Sequence, residues 1–459
     1  MKVYFYALMA MSLITTQINA DESSDLNSSD ADEIVVTSSI LNPSRILNPL
    51  YVIDGDEIED NATTSLGEAI DSYLGVSIAD YGAAVGQPII RGMSGPRVKI
   101  LKNGMVNRDV SGLGADHLND IDLNDLQQVE IVKGPSSLLY ANGTSGGIIN
   151  VVDNCIAPED FTTQEFIAGL ETQSVNDGDS QYFNFKDNLN GFNVNVGYKK
   201  SEFGNFDIPD DAVMHDEDHE GHDEHEGEEE LSYLENSDLE IESTKFGISR
   251  AGEWGYVGIS VDNHESMYGI PYHGEHSDEE GHDDHDDDHG DEHGDDDHDD
   301  HGEFENLIHA DYVQEDAEFR GYEFEFGRTF TLGSGDLRLS FGRDDVNAEF
   351  SDGHNVPRIN PARNIYSLSY VENDWVFKID LKDVEKQNDI AEGETVTDSY
   401  QMLNTRLTKT FNISGAGELK VSIFGSNLLD EAARNHSSFV KKQVPLAGRN
   451  YGAKFSYKF

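Results

Sequence analysis

Alternation of apolar and polar residues dominates the chain from Phe161 onward. Segments such as EFIAGLETQ, FNVNVGYKK, DLRLSFGR, WVFKIDLKD and ELKVSIFGSN place apolar side chains at every second position. This period of two is typical of β-strands with one apolar and one polar face, and about fourteen such segments can be counted. A soluble β-sandwich and a transmembrane sheet both show this alternation, so the pattern alone leaves the two open.

The first third of the chain has a mixed pattern of strands, turns and helical stretches. Gln128–Asp153 reads as a strand, a Gly-Pro turn, a short apolar helical patch, a glycine-rich turn and a second strand. Upstream, Tyr51–Glu59 predicts a strand and an Asp-Gly turn, Ser65–Glu68 a capping box that opens a helix, and Asn103–Gly104 a hairpin turn. These elements predict a compact α+β domain over residues 38–155.

The N-terminus predicts export. Residues 1–20 combine one lysine, an apolar run of about a dozen residues and a small residue at position 20, which is the pattern of a secretory signal peptide. Residues 21–37 begin with a Ser/Asp-rich stretch and predict a disordered tail. Beyond the N-terminus no stretch approaches the roughly 18 apolar residues of a membrane helix, so a membrane span must be built from strands.

Composition narrows the function. With 90 acidic against 31 basic residues the formal net charge is −59, which excludes nucleic-acid binding and favours attraction of cations. The single cysteine, Cys155, excludes an internal disulfide and a cysteine-based metal site, and we expect it to be buried and inert. No phosphate-binding loop, nucleophile elbow or metalloprotease helix is present, so we expect no enzyme activity and no required cofactor.

Two acidic segments, in loops predicted at 207–242 and 273–304, contain most of the histidines and lack Lys and Arg. The histidines in them are His215, His219, His222, His225, His273, His276, His282, His285, His289, His293, His298 and His301. Imidazole and carboxylate groups are ligands for Zn²⁺ and similar ions, and spacings of three or four residues let two histidines share one ion. We expect many weak sites, with capture weakening as the pH falls through about 6.5. A solvated acidic loop that binds nothing is the alternative.

The run VEIVKGPSSLLYANGTSGGIINV within Gln128–Asp153 resembles the end of the plug domain of TonB-dependent outer-membrane receptors. Three further segments match that family in order: EIVVT at Glu33–Thr37, IIRGMSGPRVKILKNGM at Ile89–Met105, and a C-terminal strand ending in Phe459. The histidine-rich loops and the ending NLLDEAARNHSSFVKKQVPLAGRNYGAKFSYKF are most similar to the zinc-receptor branch. The resemblance implies an α+β plug over residues 38–155 and a transmembrane antiparallel β-barrel over residues 156–459, of about 22 strands in that family.

The resemblance also implies a location and partners. The chain would lie in the outer membrane of a Gram-negative bacterium, in contact with lipid. The TonB energy-transducing complex would pair with a TonB box by strand addition. The residues of this box are Glu33, Ile34, Val35, Val36 and Thr37. A first plug strand without a partner role is the alternative for this segment.

The resemblance also implies roles for individual plug residues. Asp116 and His117 match a run of the zinc-receptor branch that faces the outer vestibule, which implies a metal relay; an exposed loop is the alternative. Arg91 and Arg97 would lock the plug against the barrel, unless they are surface charges. His264 and His309 flank the large loop and are candidates for residues that line the vestibule. His436 matches a family position without an assigned role.

The strand count conflicts with the family. Fourteen strands would close at a backbone radius of about 14 Å. A plug of about 120 residues has an equivalent radius of about 17–18 Å, so it does not fit inside. Either strands are missing, or the sheet stays open, or it pairs with another chain. We favour an internal deletion relative to the family, with its junction within Phe326–Gly342.

The sequence therefore predicts a receptor for energised uptake of a divalent metal, zinc in the first place, either free or chelated. A surface protein that binds metal without transporting it, built on a shortened receptor, is the first alternative. A receptor for a siderophore, haem or cobalamin, with incidental acidic loops, is the second.

Overall fold

The computed structural model describes residues 50–60, 64–82, 84–109, 111, 117–210, 212–214, 232–271, 314–413, 415 and 417–459. The predicted signal peptide and TonB box, the histidines of the two acidic loops, Asp116 and His309 all lie outside these residues. None of the helices in the described ranges reaches the length and apolar content that a bilayer span requires.

The first part of the described chain is an α+β domain, called the plug below. Its strands are β1 (Leu50–Asp54), β2 (Val76–Asp80), β3 (Gly86–Ile90), β4 (Val98–Lys102), β5 (Met105–Val106), β6 (Leu126–Lys133) and β7 (Gly147–Asp153), and its short helices are Gly55–Asp60 and Leu66–Ile70. One sheet has the order β1-β6-β7-β4-β5, and β2 and β3 form a separate hairpin. Only the β4–β7 pair of the larger sheet is parallel. Buried side chains from both helices and this sheet form the core, among them Ile58, Ile70, Val129, Ile131 and Ile149.

Local sequence explains most of the plug elements. Ser65 caps the second helix, because its Oγ accepts a hydrogen bond from the backbone N–H of Glu68 at 3.2 Å. Asn103 and Gly104 have φ values of 51° and 79° and make the expected tight hairpin turn between β4 and β5. The Asp-Gly turn predicted after β1 is wrong, since a helix begins at Gly55. A Cβ at Gly55 would lie 1.9 Å from the carbonyl oxygen of Leu126, so the glycine permits a close approach of two backbones.

Beyond the plug, the described residues form one antiparallel sheet of twelve strands, called the wall below. Its strands are β8 (Glu165–Gln173), β9 (Gly178–Leu189), β10 (Phe192–Phe203), β11 (Leu239–Gly252), β12 (Gly255–Tyr268), β13 (Ala317–Leu332), β14 (Gly335–Phe350), β15 (Arg363–Glu372), β16 (Trp375–Val384), β17 (Tyr400–Ile413), β18 (Gly417–Ser426) and β19 (Asn450–Lys458). The described residues contain twelve of the about fourteen predicted strands. Most of the predicted segment LIHADYVQED lies outside the described residues, and its described part, Gln314–Asp316, is irregular.

The two ends of the sheet are β12 and β13. The order runs from β12 back to β8, on to β19 and back to β13, and within the described ranges β12 and β13 each have one neighbour. Strands β13 and β14 pair without interruption from Ala317↔Phe350 to Leu332↔Gly335. The deletion junction predicted within Phe326–Gly342 stays a prediction, because a continuous hairpin does not show whether residues have been lost there. The twelve described strands form no closed ring, so the size limit of a closed twelve-stranded barrel does not apply to this part of the chain.

The two faces of the wall differ as the alternation predicts. On β12 the side chains of Val257, Ile259 and Val261 point away from the plug and are 61%, 70% and 63% exposed. Asp262 and His264 on the opposite face contact plug residues. Apolar residues outside and polar residues inside are the arrangement of strands that face lipid and enclose a polar lumen.

Candidate functional site: the contacts of the plug with the wall

Arg363, the first residue of β15, holds a loop of the plug through its guanidinium group. Its side chain is only 7% exposed. Nη1 donates a hydrogen bond to the carbonyl oxygen of Asp71 at 2.7 Å, and Nη2 donates to that of Tyr73 at 2.8 Å and to that of Val76. The five donors of a guanidinium group suit such a fork, because one side chain satisfies several carbonyls that follow the helix Leu66–Ile70.

Two neighbouring side chains complete this contact. Asp344 on β14 accepts from Arg363 Nη2 at 2.8 Å and from the backbone N–H of Gly75 at 2.6 Å. Lys382 on β16 pairs with the carboxylate of Asp71. Burial opposes ionisation of Asp71, but Lys382 and Arg363 hold the pKa of its carboxyl below the usual range. These contacts of Arg363, Asp344 and Lys382 with residues 71–76 are called the Arg363 clamp below.

A second contact centres on Glu323 of β13. Its carboxylate accepts from Arg91 Nε at 2.8 Å and from Lys133 Nζ at 2.5 Å. Lys133 also donates to the carbonyl oxygen of Leu74 at 3.0 Å. The expected contact of Arg91 with the wall is thus observed, whereas Arg97 is exposed and makes no side-chain hydrogen bond within the described residues.

On the opposite side of the plug, Lys245 of β11 forms a direct buried ion pair. Its Nζ lies 2.9 Å from Asp122 Oδ2, and the two side chains are 2% and 3% exposed. The same Nζ donates to the carbonyl oxygen of Asn124 at 2.6 Å, and Ser243 Oγ donates to Asp122 at 3.0 Å. Burial opposes ionisation, yet Lys245 lowers the pKa of Asp122 to about 2. All polar atoms of this contact therefore find partners in packed surroundings.

A cavity of about 890 Å³ lies between the plug and strands β14–β18. The Arg363 clamp borders it through Asp71, Arg363, Asp344 and Lys382. Other charged side chains line it in nearly balanced numbers of acids and bases, including Glu57, Glu68, Asp80, Asp345, Asp380, Arg338, Lys378, Arg406 and Arg434. The cavity therefore suits an ion or another polar solute rather than an apolar one.

Among the described residues, the buried polar atoms on the cavity lining that lack a hydrogen-bond partner include Asp80 Oδ1, Arg434 Nε and His436 Nε2. Burial raises the pKa of Asp80 to about 7. Burial and the neighbouring Lys441 lower the pKa of His436 to about 4, so the imidazole is neutral at neutral pH. Its Nδ1 lies 2.8 Å from Thr397 Oγ1 and 3.1 Å from Lys441 Nζ. Because Lys441 can only donate, Nδ1 accepts and the unpaired Nε2 carries the proton.

The structure brings His117 and His264 to the same end of β12. His117 Nδ1 lies 3.4 Å from the hydroxyl of Tyr268, the last residue of β12. His264 Nε2 lies 3.3 Å from Asp120 Oδ1 in the plug. In the same part of the plug, the carboxylate of Asp109 accepts a hydrogen bond from the backbone N–H of Asp120 at 2.9 Å. A histidine of the plug and one of the wall thus lie at one edge of the domain contact.

These residues do not form a metal site by themselves. Within the described part of the chain, no three His, Cys, Asp or Glu side chains are arranged to hold a metal ion. The relay expected for Asp116 and His117 stays a prediction, because only His117 is described. Cys155 is buried, and burial raises its pKa to about 12, as expected for an inert thiol.

Sequence reasoning missed the Arg363 clamp. A signal was available, because Arg363, Ile365, Ser367 and Ser369 share one face of β15 and the arginine is the only charge among them. The alternation did not reveal that the plug loop after Ile70 would lie opposite this arginine, since that pairing joins residues about 290 positions apart.

Comparison with known proteins agrees with this architecture. Residues 42–148 match the family described as TonB-dependent Receptor Plug Domain. Among solved structures, the chain is similar to a copper transporter, OprC, with a TM-score of 0.56 and 11% identity, covering 89% of this chain and 100% of that chain. It is also similar to the FrpB iron transporter from Neisseria meningitidis, with a TM-score of 0.52 and 8% identity, covering 89% of this chain and 99% of that chain. For the siderophore receptor PirA from Acinetobacter baumannii the TM-score is 0.51 and the identity 10%, covering 89% of this chain and 98% of that chain.

Identities this low show the fold alone. The predicted fold class is confirmed: an α+β plug domain of the TonB-dependent receptor type with a large antiparallel sheet of the transmembrane barrel type. The zinc-receptor branch stays a prediction.

Proposed function

We propose that this protein is a TonB-dependent outer-membrane receptor for the energised uptake of a divalent metal, with zinc as the cargo. The plug domain matched over residues 42–148, held by buried ion pairs against a wall of lipid-facing strands, is the observation that carries the proposal. Such a plug has to be displaced before a solute can pass, which requires energy from outside the receptor. A TonB box at Glu33–Thr37 would receive that energy by strand addition.

Metal as the cargo is supported by the acidic and histidine-rich loops. These segments combine imidazole and carboxylate ligands at a density that solubility alone does not require. His117 and His264 lie at one edge of the plug–wall contact, where ions gathered by the loops could be received. In this mechanism the loops concentrate the metal, and the plug residues near His117 pass it to the lumen.

Zinc uptake by cells that make this protein tests the proposal. We expect accumulation of zinc during zinc starvation, and loss of this accumulation in a variant that lacks Glu33–Thr37, because the plug can then no longer be pulled. Copper and nickel in parallel assays report the choice of metal. Equal zinc accumulation with and without the box would contradict an energised receptor.

A second candidate, a surface protein that binds metal without transporting it, is favoured by the unpaired edges of β12 and β13 in the described sheet. This protein would bind zinc to the same extent with or without Glu33–Thr37 and would not restore growth in zinc starvation. A siderophore, haem or cobalamin receptor is the third reading. For such a receptor, a ferric chelate or cobalamin would compete for binding whereas free Zn²⁺ would not.

A further inference from the structure

We propose that the route of the cargo through the lumen runs between the plug and strands β14–β18, and that the Arg363 clamp is its gate. The identity of the cargo rests on the function proposed above. The gate is a property of the plug–wall contact and can be tested without any cargo.

The extent of the cavity is the first argument. On β14 the residues that line it extend from Arg338 to Val346. Eight residue steps correspond to about 27 Å of strand, or about 20 Å along the barrel axis at a tilt of about 40°. An apolar band is about 25 Å tall, so the cavity follows most of the membrane-spanning height.

The two ends of the cavity lie at opposite ends of the wall. Lys378 is near the short turn that precedes β16, and Arg338 is near the short turn that precedes β14. His436 and Pro445 lie in the long loop between β18 and β19, at the other end of the strands. A single cavity therefore connects the level of the short turns with the level of the long loops.

The position of the clamp is the second argument. Arg363 and Asp344 oppose each other on β15 and β14, and Lys382 on β16 lies opposite Ile365 of β15. All three reach inward near the long-loop ends of their strands and hold residues 71–76 of the plug across the cavity. Among the described residues, no backbone–backbone hydrogen bond joins residues 71–76 to these strands, so a small retreat of the loop breaks the contacts of the clamp together.

The chemistry of the clamp explains how opening would favour a cation. In the closed state Arg363 and Lys382 neutralise the carboxylates of Asp71 and Asp344. Retreat of residues 71–76 separates Asp71 from both cations and exposes its carboxylate to the cavity, whereas Asp344 stays paired with Arg363 on the neighbouring strand. Carboxylate oxygens are ligands for divalent cations, so the same movement that widens the route provides transient binding groups along it.

The opposite side of the plug is different. There Lys245 and Asp122 pair directly and are almost completely buried, and Ser243 completes the contact. This side supplies a matched control, because it contains an ion pair of similar burial that does not border the cavity.

Thiol labelling in intact cells tests the gate. Cys155→Ser provides a cysteine-free background, and Ser367→Cys places one thiol on the cavity lining of β15. A charged, membrane-impermeant methanethiosulfonate is the probe. We expect Arg363→Met to raise the labelling rate at position 367 at least about tenfold, because truncating one member of a buried ion pair strongly perturbs the contact. Arg363→Lys, which keeps the charge but not the fork, is expected to give an intermediate rate.

The control variant is Asp122→Asn combined with Lys245→Met, and the control thiol is Ser243→Cys on β11. We expect the control variant to leave labelling at position 367 unchanged and Arg363→Met to leave labelling at position 243 unchanged. An unchanged rate at position 367 in Arg363→Met overturns the gate. An equal rise at positions 367 and 243 also overturns it, because this shows general loosening of the plug. A selective rise at position 367 without zinc uptake in the parent would retain the gate and reject the proposed function.

Discussion

The two sides of the plug are held by similar ion pairs in different surroundings. On the β11 side, Lys245 and Asp122 pair at 2.9 Å and are at least 97% buried. On the β14–β16 side, Arg363 binds three carbonyls and two carboxylates, but it does so at the border of an 890 Å³ cavity. The first arrangement is almost completely buried, whereas the second borders space in which water or an ion can replace the contact.

This difference indicates a division of roles. An ion pair that is packed on all sides is costly to break, because each charge is left buried and uncompensated. An ion pair beside a polar cavity can exchange its partners at lower cost, because the separated groups are hydrated. The β11 side is thus suited to anchor the plug, and the β14–β16 side is suited to release it.

The largest expected effect comes from removing the cation on each side. Lys245→Met leaves Asp122 buried without its partner, and we expect the free energy of unfolding to fall by about 3–5 kcal/mol. Arg363→Met is expected to cost less, about 1–3 kcal/mol, because Asp71 keeps Lys382 and the cavity admits water. Urea titration in lipid vesicles, with tryptophan fluorescence as the readout, measures the free energy of unfolding of both variants. If the free energy of unfolding falls as much in Arg363→Met as in Lys245→Met, or more, the inferred difference between the two sides is wrong.

Alanine substitution of two inward-facing glycines is expected to lower the free energy of unfolding by a smaller amount. A Cβ at Gly247 on β11 would lie 1.8 Å from the carbonyl oxygen of Cys155, whereas one at Gly342 on β14 would meet the side chain of Leu74 at 2.9 Å. Gly247→Ala is expected to cost about 1–3 kcal/mol, because a backbone has to move. Gly342→Ala is expected to cost less than about 1 kcal/mol, because Leu74 borders the cavity and can shift. The same titration measures both, and similar losses would show that the two sides are packed alike.

A pH dependence of opposite sign on the two sides gives a further test of the comparison. The pKa of Asp80 is raised from 3.8 to about 7, so the folded state keeps a proton that the unfolded state loses. Its contribution to stability therefore falls as the pH rises from about 4 to about 7, by at most about 1.4 kcal/mol per pH unit. Asp80→Asn should raise the thermal midpoint at pH 8 and leave it unchanged near pH 4.

Asp122 is the matched control for this pH effect. Its pKa is lowered to about 2, so its stabilising contribution is complete above about pH 4 and is lost as the pH falls toward 2. Asp122→Asn should therefore lower the thermal midpoint at pH 8, opposite to Asp80→Asn. Thermal unfolding of both variants and the parent at pH 4 and pH 8 measures this. Shifts of the same sign at pH 8 would contradict the assignment of the two environments.

The sequence by itself determined the local elements and the fold class. Period-two alternation marked the strands, because each strand has one apolar and one polar face. Ser65, Asn103 and Gly104 marked a helix start and a hairpin turn, because capping and positive φ depend on residues adjacent in the chain. The run Gln128–Asp153 identified the plug, since its turns need glycine and proline at fixed positions.

Only the tertiary structure decided which plug segments meet which strands and where the sheet is interrupted. Gly55 was misread as a turn residue because its role, a close approach to Leu126, depends on a strand far along the chain. In the described sheet the strands with one neighbour are β12 and β13, which the sequence did not predict, because pairing is a relation between strands that alternation within one strand does not contain. The Arg363 clamp likewise joins groups about 290 residues apart, and its location beside the cavity follows only from the packing of the whole chain.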